Sequence, residues 1–103
     1  MLELFQAEWC PYSHRVRQRL TELGVDFVAR QVEAEPDDRA VLRKVSGQTS
    51  IPTLVDGDEV VTHPDEIVAY LDERYSFRDD AKRHREKAIE EAELLTAPPP
   101  WPD

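Results

Sequence analysis

Polar and apolar residues alternate at the start of the chain. Leu2, Leu4 and Gln6 fall on one side of an extended backbone and Glu3 and Phe5 on the other, which predicts a short first strand. The period then changes. Val16, Leu20 and Leu23 recur at helical spacing and Gly24 follows as a stop, so a helix is expected behind the strand. Val25 to Val32 is short and β-branched and predicts a second strand; Pro36-Asp37-Asp38 opens a second helix with Val41, Leu42 and Val45 on its apolar side and Ser46-Gly47 closing it. Two apolar runs flank Asp56-Gly57-Asp58-Glu59, the turn chemistry of a hairpin, and Pro52, which cannot donate to a ladder, belongs at the first position of the earlier strand. A third helix is expected from Pro64, with Thr62 or His63 near its cap and Ile67, Val68, Leu71 and Tyr75 facing the core. Strand, helix, strand, helix in the first half implies a right-handed crossover between two parallel strands.

The last quarter is less regular. Residues 76–96 predict a further helix, opened by Ser76, with a thin apolar stripe of Ala81, Ala88, Ile89, Ala92 and Leu95; the proline-rich stretch 97–103 cannot enter a regular element. The reading is therefore a domain over 1–75, an appended helix over 76–96 and a tail over 97–103.

Composition narrows the function. At 103 residues the chain has room for one core. Its formal charge of −9 is uneven, with seven Lys/Arg against eight Asp/Glu in residues 1–50 and six against fourteen in 51–103. An acidic surface repels phosphate backbones, so no nucleic-acid partner is expected. No apolar run approaches membrane-spanning length, and Met1-Leu2-Glu3-Leu4 lacks the basic start of a signal peptide; a cytoplasmic protein with no membrane partner is expected. The single cysteine, Cys10, excludes a disulfide framework and a four-thiolate metal site within one chain.

That cysteine stands in Trp9-Cys10-Pro11-Tyr12-Ser13, between the first strand and the first helix. Unpaired N–H groups at a helix start favour a thiolate, lowering a pKa that is ordinarily about 8.5. Pro11 suits the first helical turn because it has no N–H to leave unpaired. Ser13 sits where a second cysteine of a Cys-x-x-Cys pair would stand; its hydroxyl can face the sulfur but cannot displace a disulfide, so a redox cycle here needs a thiol from solution. Arg15 is the neighbouring cation expected to assist. The plain alternative is that Cys10 is a small buried hydrophobe.

Three motifs in order, Cys10-Pro11-Tyr12-Ser13-His14-Arg15, Thr49-Ser50-Ile51-Pro52-Thr53-Leu54 and Asp65-Glu66-Ile67-Val68-Ala69-Tyr70-Leu71, give the chain a resemblance to the thioredoxin fold, and within it to the branch of the glutaredoxins and glutathione-transferase N-terminal domains. The resemblance covers Leu2 to about Tyr75. It implies an α/β fold of order β-α-β-α-β-β-α on a mixed four-stranded sheet, with the C-terminal helix added. It also implies that Pro52 is cis, that the Ile51 backbone pairs like a strand with the cysteinyl part of glutathione, that Tyr12 flanks the sulfur, and that Asp65 and nearby N–H groups hold the γ-glutamyl end. Asp65 is equally explained as an acid at a helix N-terminus.

Departures from the family pattern shape the expectation. Ala7 stands where glutaredoxins often carry a cation, His63-Pro64 replaces the residues that precede the third helix, and Ser13 replaces the resolving cysteine. The activity implied is a monothiol glutaredoxin-like thiol-disulfide oxidoreductase, with Cys10 and Ser13 catalytic and Pro11, Tyr12, Ile51, Pro52 and Asp65 binding. Its co-substrate would be glutathione or a related low-molecular-weight thiol, and its clients proteins carrying mixed disulfides. A monomer without metal is expected. The alternatives are an iron–sulfur carrier, with one Cys10 from each of two chains and two small thiols as ligands, and a non-catalytic transferase-like binding module.

Overall fold

The N-terminal alternation forms β1 (Leu2–Gln6), a central strand that is buried on both faces because helices pack on both sides of the sheet. The computed structural model describes residues 1–101; Pro102 and Asp103, the end of the expected tail, lie outside the described residues. The elements that follow β1 are α1 (Pro11–Leu23), β2 (Val28–Gln31), α2 (Ala40–Ser46), β3 (Thr53–Asp56), β4 (Glu59–Thr62), α3 (Pro64–Arg74) and α4 (Ala81–Glu90). The sheet runs β2-β1-β3-β4, with β1 and β2 parallel and the other pairs antiparallel. This is the thioredoxin-like α/β arrangement.

Two apolar clusters fix the layers. Leu2 and Leu4 of β1 and Leu54 of β3 meet Val16, Leu20 and Leu23 of α1 and Ile67 and Leu71 of α3 on one face, while Phe5 and Val55 meet Leu42 of α2 on the other. Leu4, Leu20, Leu54, Ile67 and Leu71 have no exposed surface, and each such leucine or isoleucine contributes roughly 2 kcal/mol of transfer free energy. Gly24 ends α1 in the left-handed region, φ 66°, its N–H donating to the Leu20 and Thr21 carbonyls.

Several expectations are corrected. β2 is only Val28–Gln31, and the second helix does not start at Pro36: Pro36–Asp38 is a single 3-10 turn, followed by seven residues of α2. Val41 and Val45 are exposed. Leu42 faces the sheet and shares its side of the turn with the buried Arg39 three residues earlier, so the helix is rotated from the phase that three valines and leucines suggest. Tyr75 does not face the core. It is extended, φ −132°, and exposed, because the helix ends at Arg74; Tyr70 takes the packing place, its hydroxyl donating to Asp56 at 2.8 Å. Pro52 lies one residue ahead of β3.

The fourth helix is also shorter than expected, Ala81–Glu90 with turns over 91–96, and of the apolar stripe only Ala81 and Ala88 turn inward. Ile89 and Leu95 are exposed, whereas Ala81 is buried and Glu22 of α1, itself buried, accepts from Arg85 at 2.8 Å and from Gln18 at 3.1 Å. The guanidinium groups of Arg19 and Arg85 both lie near Phe77, 5.3 and 4.9 Å from its ring centre. A buried carboxylate gathers arginines from two helices, and α4 lies along α1 in part for that reason.

Candidate active site at the head of the first helix

The chain turns sharply after β1, and the Cys10 N–H closes the turn on the Ala7 carbonyl at 3.1 Å. Cys10 is then the N-cap of α1, in extended conformation, and its sulfur accepts the Ser13 N–H at 3.4 Å, the role that a serine or aspartate oxygen usually fills. Pro11 is the first helical residue. Cys10 and Ser13 are buried, while the neighbouring aromatics Trp9 and Tyr12 are exposed. The Ser13 hydroxyl oxygen accepts the Ala7 N–H at 3.4 Å, so the serine ties the turn to the helix while standing beside the thiol.

Burial pushes the Cys10 thiol up, but the Ser13 hydroxyl, the Ser13 and Tyr12 N–H groups and the Arg17 charge together outweigh it, and the thiol lies below its ordinary pKa. The cation is Arg17, not Arg15. Arg17 reaches back along α1 to the turn, donating to the Gln6 side-chain oxygen and to the Ala7 carbonyl at 3.3 Å and pairing with Glu8 at 3.2 Å. Arg15 turns the other way and binds Asp65 across to α3. Ser13 and Arg17 stand four residues apart, so helical spacing carries the signal, but three nearby arginines offer no way to choose among them.

The lowered thiol has a sign that can be measured. A depressed pKa means the thiolate persists to lower pH, so the alkylation rate of Cys10 should rise through a midpoint below that of a free thiol. Arg17→Met should move the midpoint upward and Arg15→Met should not. A wild-type midpoint at or above the free value would remove the basis for a reactive Cys10.

A cleft of about 420 Å³ lies against the first turn of α1, lined by Tyr12, Arg15, Ile51, His63, Pro64 and Asp65. It gathers three of the expected binding residues, Tyr12, Ile51 and Asp65, from three separate elements. The Ile51-Pro52 peptide is cis, as the resemblance implies, with Pro52 buried and Ile51 half-buried. Among the described residues no hydrogen bond takes up the Ile51 main chain. The loop before it is held firmly: Gln48 donates to the Thr53 hydroxyl at 2.9 Å, and Thr53 donates to the Ser50 carbonyl at 2.8 Å. Arg39 is buried with no carboxylate partner among the described residues, its guanidinium donating to the carbonyls of Glu33, Thr49 and Ala34 at 2.8, 2.9 and 3.0 Å. It clamps the segment after β2 to the loop that carries Ile51, a role invisible in the sequence.

At the far wall His63 caps α3 with φ 78°, a backbone region unfavourable for a non-glycine residue. Its Nδ1 accepts the Asp65 N–H at 3.2 Å, and Pro64 has no N–H. The hydrogen bond and charge of Arg15 hold the exposed Asp65 carboxyl below its usual range. No helix is long and apolar enough to cross a membrane, and no group of three or more His, Cys, Asp or Glu is placed to hold a metal ion, among the described residues.

The comparisons with known proteins agree with this geometry. The chain is 34% identical over 55 residues to a glutaredoxin of Pseudomonas aeruginosa, covering 53% of this chain and 66% of that protein. It is 32% identical over 53 residues to glutaredoxin 3 of Escherichia coli K12, covering 52% and 64%. It thus spans a little under two thirds of the length of these relatives. Among solved structures, human glutathione-S-transferase T1-1 superposes with a TM-score of 0.68 at 21% identity, over 93% of this chain and 43% of that one, a likeness of fold. The model of the glutaredoxin family matches residues 2–61. Because that stretch is more than half of the chain and contains both the Cys10 turn and the Ile51-Pro52 peptide, the chain belongs to the glutaredoxin family.

Proposed function

We propose that this chain is a thiol-disulfide oxidoreductase that works through one cysteine on mixed disulfides between proteins and a small thiol of the glutathione class. The observation that carries the reading is the Cys10 sulfur, set against the Ser13 N–H and lowered in pKa, with a hydroxyl where a second thiol would stand. In the first step the Cys10 thiolate attacks the small-thiol sulfur of the client disulfide. That S–S bond breaks, and the client leaves as a thiolate and takes up a proton. A second small thiolate then attacks the small-thiol sulfur on Cys10, forming the symmetric small disulfide and regenerating the Cys10 thiolate. Ile51, with its main chain unengaged, would pair with the peptide backbone of the small thiol, and Tyr12 would cover its sulfur. A cytoplasmic monomer, with residues 1–75 as the catalytic unit, belongs to the same proposal.

The glycine end of glutathione is poorly provided for. Ala7 offers no charge, and Arg39 is committed to three carbonyls. The test measures kcat/KM on one client carrying either glutathione or γ-glutamylcysteine, with Cys10→Ser as the blank. Both should turn over, with a ratio within about tenfold, or roughly 1.4 kcal/mol. Turnover of neither would sink the proposed activity. A stronger preference for glutathione would mean that Arg43 or Lys44, the exposed cations of α2, holds the glycine carboxylate.

A further inference from the structure

Gln6 is a buried polar side chain that the chemistry proposed above does not use. Leu2, Leu4 and Gln6 point to the same side of β1, and the two leucines enter the apolar cluster under α1, yet the third position is an amide with 3% of its surface exposed. A leucine there would continue the row. Burying an amide is unfavourable unless its two ends are bonded, and here both are. The Gln6 nitrogen donates to the side-chain oxygen of Gln31, its partner in the β1–β2 register, at 2.9 Å, and the Gln6 oxygen accepts from Nη1 of Arg17.

The direction of these bonds is fixed. A guanidinium only donates, so Gln6 must turn its oxygen to Arg17 and its nitrogen to Gln31. The bonds run from β2 through β1 to α1 and end on the turn that carries the sulfur. The Arg17 nitrogen that binds Gln6 also donates to the Ala7 carbonyl at 3.3 Å, and that carbonyl accepts the Cys10 N–H at 3.1 Å. Glu8 opposes this hold: its side chain is 91% exposed and lies 3.2 Å from Nη2 of Arg17. An arginine stem is long and flexible, and a carboxylate in solvent draws its head outward. Among the described residues Arg17 is the one charge that acts on the Cys10 thiol, beside the Ser13 hydroxyl and the Ser13 and Tyr12 N–H groups, so its placement matters to the sulfur.

We propose that Gln6 is a positioning residue for Cys10: anchored on Gln31, it holds the Arg17 guanidinium against the turn that carries the sulfur. Arg17 thereby supplies, from within α1, the cation that Ala7 does not, and Gln6 keeps it from following Glu8 into solvent. This rests on the proposed thiol chemistry for its purpose, but not for its measurement.

The test is the pH dependence of Cys10 alkylation in wild type, Gln6→Met, Arg17→Met and the double variant. Methionine keeps the length of glutamine and removes both polar ends. Gln6→Met should raise the midpoint by about 0.3 pH unit or more, as Arg17→Met does, and the double variant should rise no further than Arg17→Met alone. A glutamine with only a structural role would lower stability and leave the midpoint in place. An unshifted Gln6→Met, an unshifted Arg17→Met, or shifts that add in the double variant would each overturn the proposal. Gln31→Met withdraws the anchor from an exposed position without altering the core, and should shift the midpoint the same way; no shift there overturns it too. Alkylation needs no disulfide substrate. If the shifts appear but wild type turns over no small-thiol mixed disulfide, the positioning stands and the proposed activity fails. If turnover is normal and the midpoints do not move, the positioning fails alone.

Discussion

Replacing Ser13 by cysteine is expected to raise the rate on an internal protein disulfide by about a hundredfold or more, while turnover of small-thiol mixed disulfides changes by far less. With serine in place, attack of Cys10 on an internal disulfide leaves enzyme and client joined, and release waits for a thiol from solution. A thiol at position 13 makes release intramolecular, and well-placed intramolecular groups act at effective concentrations far above the millimolar levels of a free thiol. The geometry supports reach: Ser13 is fully buried, three residues on, with its N–H 3.4 Å from the Cys10 sulfur. The measurement is the pair of rates for wild type and variant on one client of each kind. An unchanged rate on the internal disulfide would mean that the side chain at 13 does not reach the intermediate.

The second large effect concerns Arg39. Arg39→Met keeps the aliphatic stem but removes every donor, leaving the carbonyls of Glu33, Ala34 and Thr49 without their partner. A buried acceptor left unsatisfied costs about 1–3 kcal/mol. Residues 33 and 34 are exposed, so water would regain part of that for two of the three. A net loss of about 2–4 kcal/mol is expected, which in a domain of this size lowers Tm by roughly 10–20 °C. Since Thr49 stands two residues before Ile51, the same variant should raise KM for the mixed disulfide more than it lowers kcat. Thermal unfolding and steady-state kinetics read both outcomes. A Tm within about 3 °C of wild type would show that the three carbonyls are satisfied without Arg39, and that the clamp does not hold the loop.

Both predictions depend on polar groups, and legibility in the sequence divides along that line. Leu2 and Leu4, Val16 and Leu20, the Asp56-to-Glu59 turn and the Ile67-to-Leu71 face were readable because strand and helix periods are local properties, and burial enforces them wherever the element faces a core. The reading failed where the period was short or the helix ended early. Val41 and Val45 sit on seven residues of helix, too few to fix a phase, and Tyr75 follows the last helical residue. On α4 the apolar stripe held only at Ala81 and Ala88, because the buried Glu22, through Arg85, does part of the docking that Ile89 and Leu95 were expected to do.

The sequence by itself determined the order of the elements, the place of Cys10 at a helix start with Pro11 behind it, the hydroxyl at position 13 and the proline ahead of the third strand. Each follows from backbone stereochemistry and from side-chain spacing within a few residues. Only the tertiary structure decided what the arginines do. Arg15, Arg17, Arg19 and Arg39 are the same side chain, long enough to reach partners on other elements, and each is assigned by what lies within that reach: Asp65 on α3, the Ala7 turn, Asp72 on α3, and three carbonyls of two loops. A charge at the end of a flexible stem is placed by its surroundings, so its role is a property of the fold rather than of its neighbours in the chain.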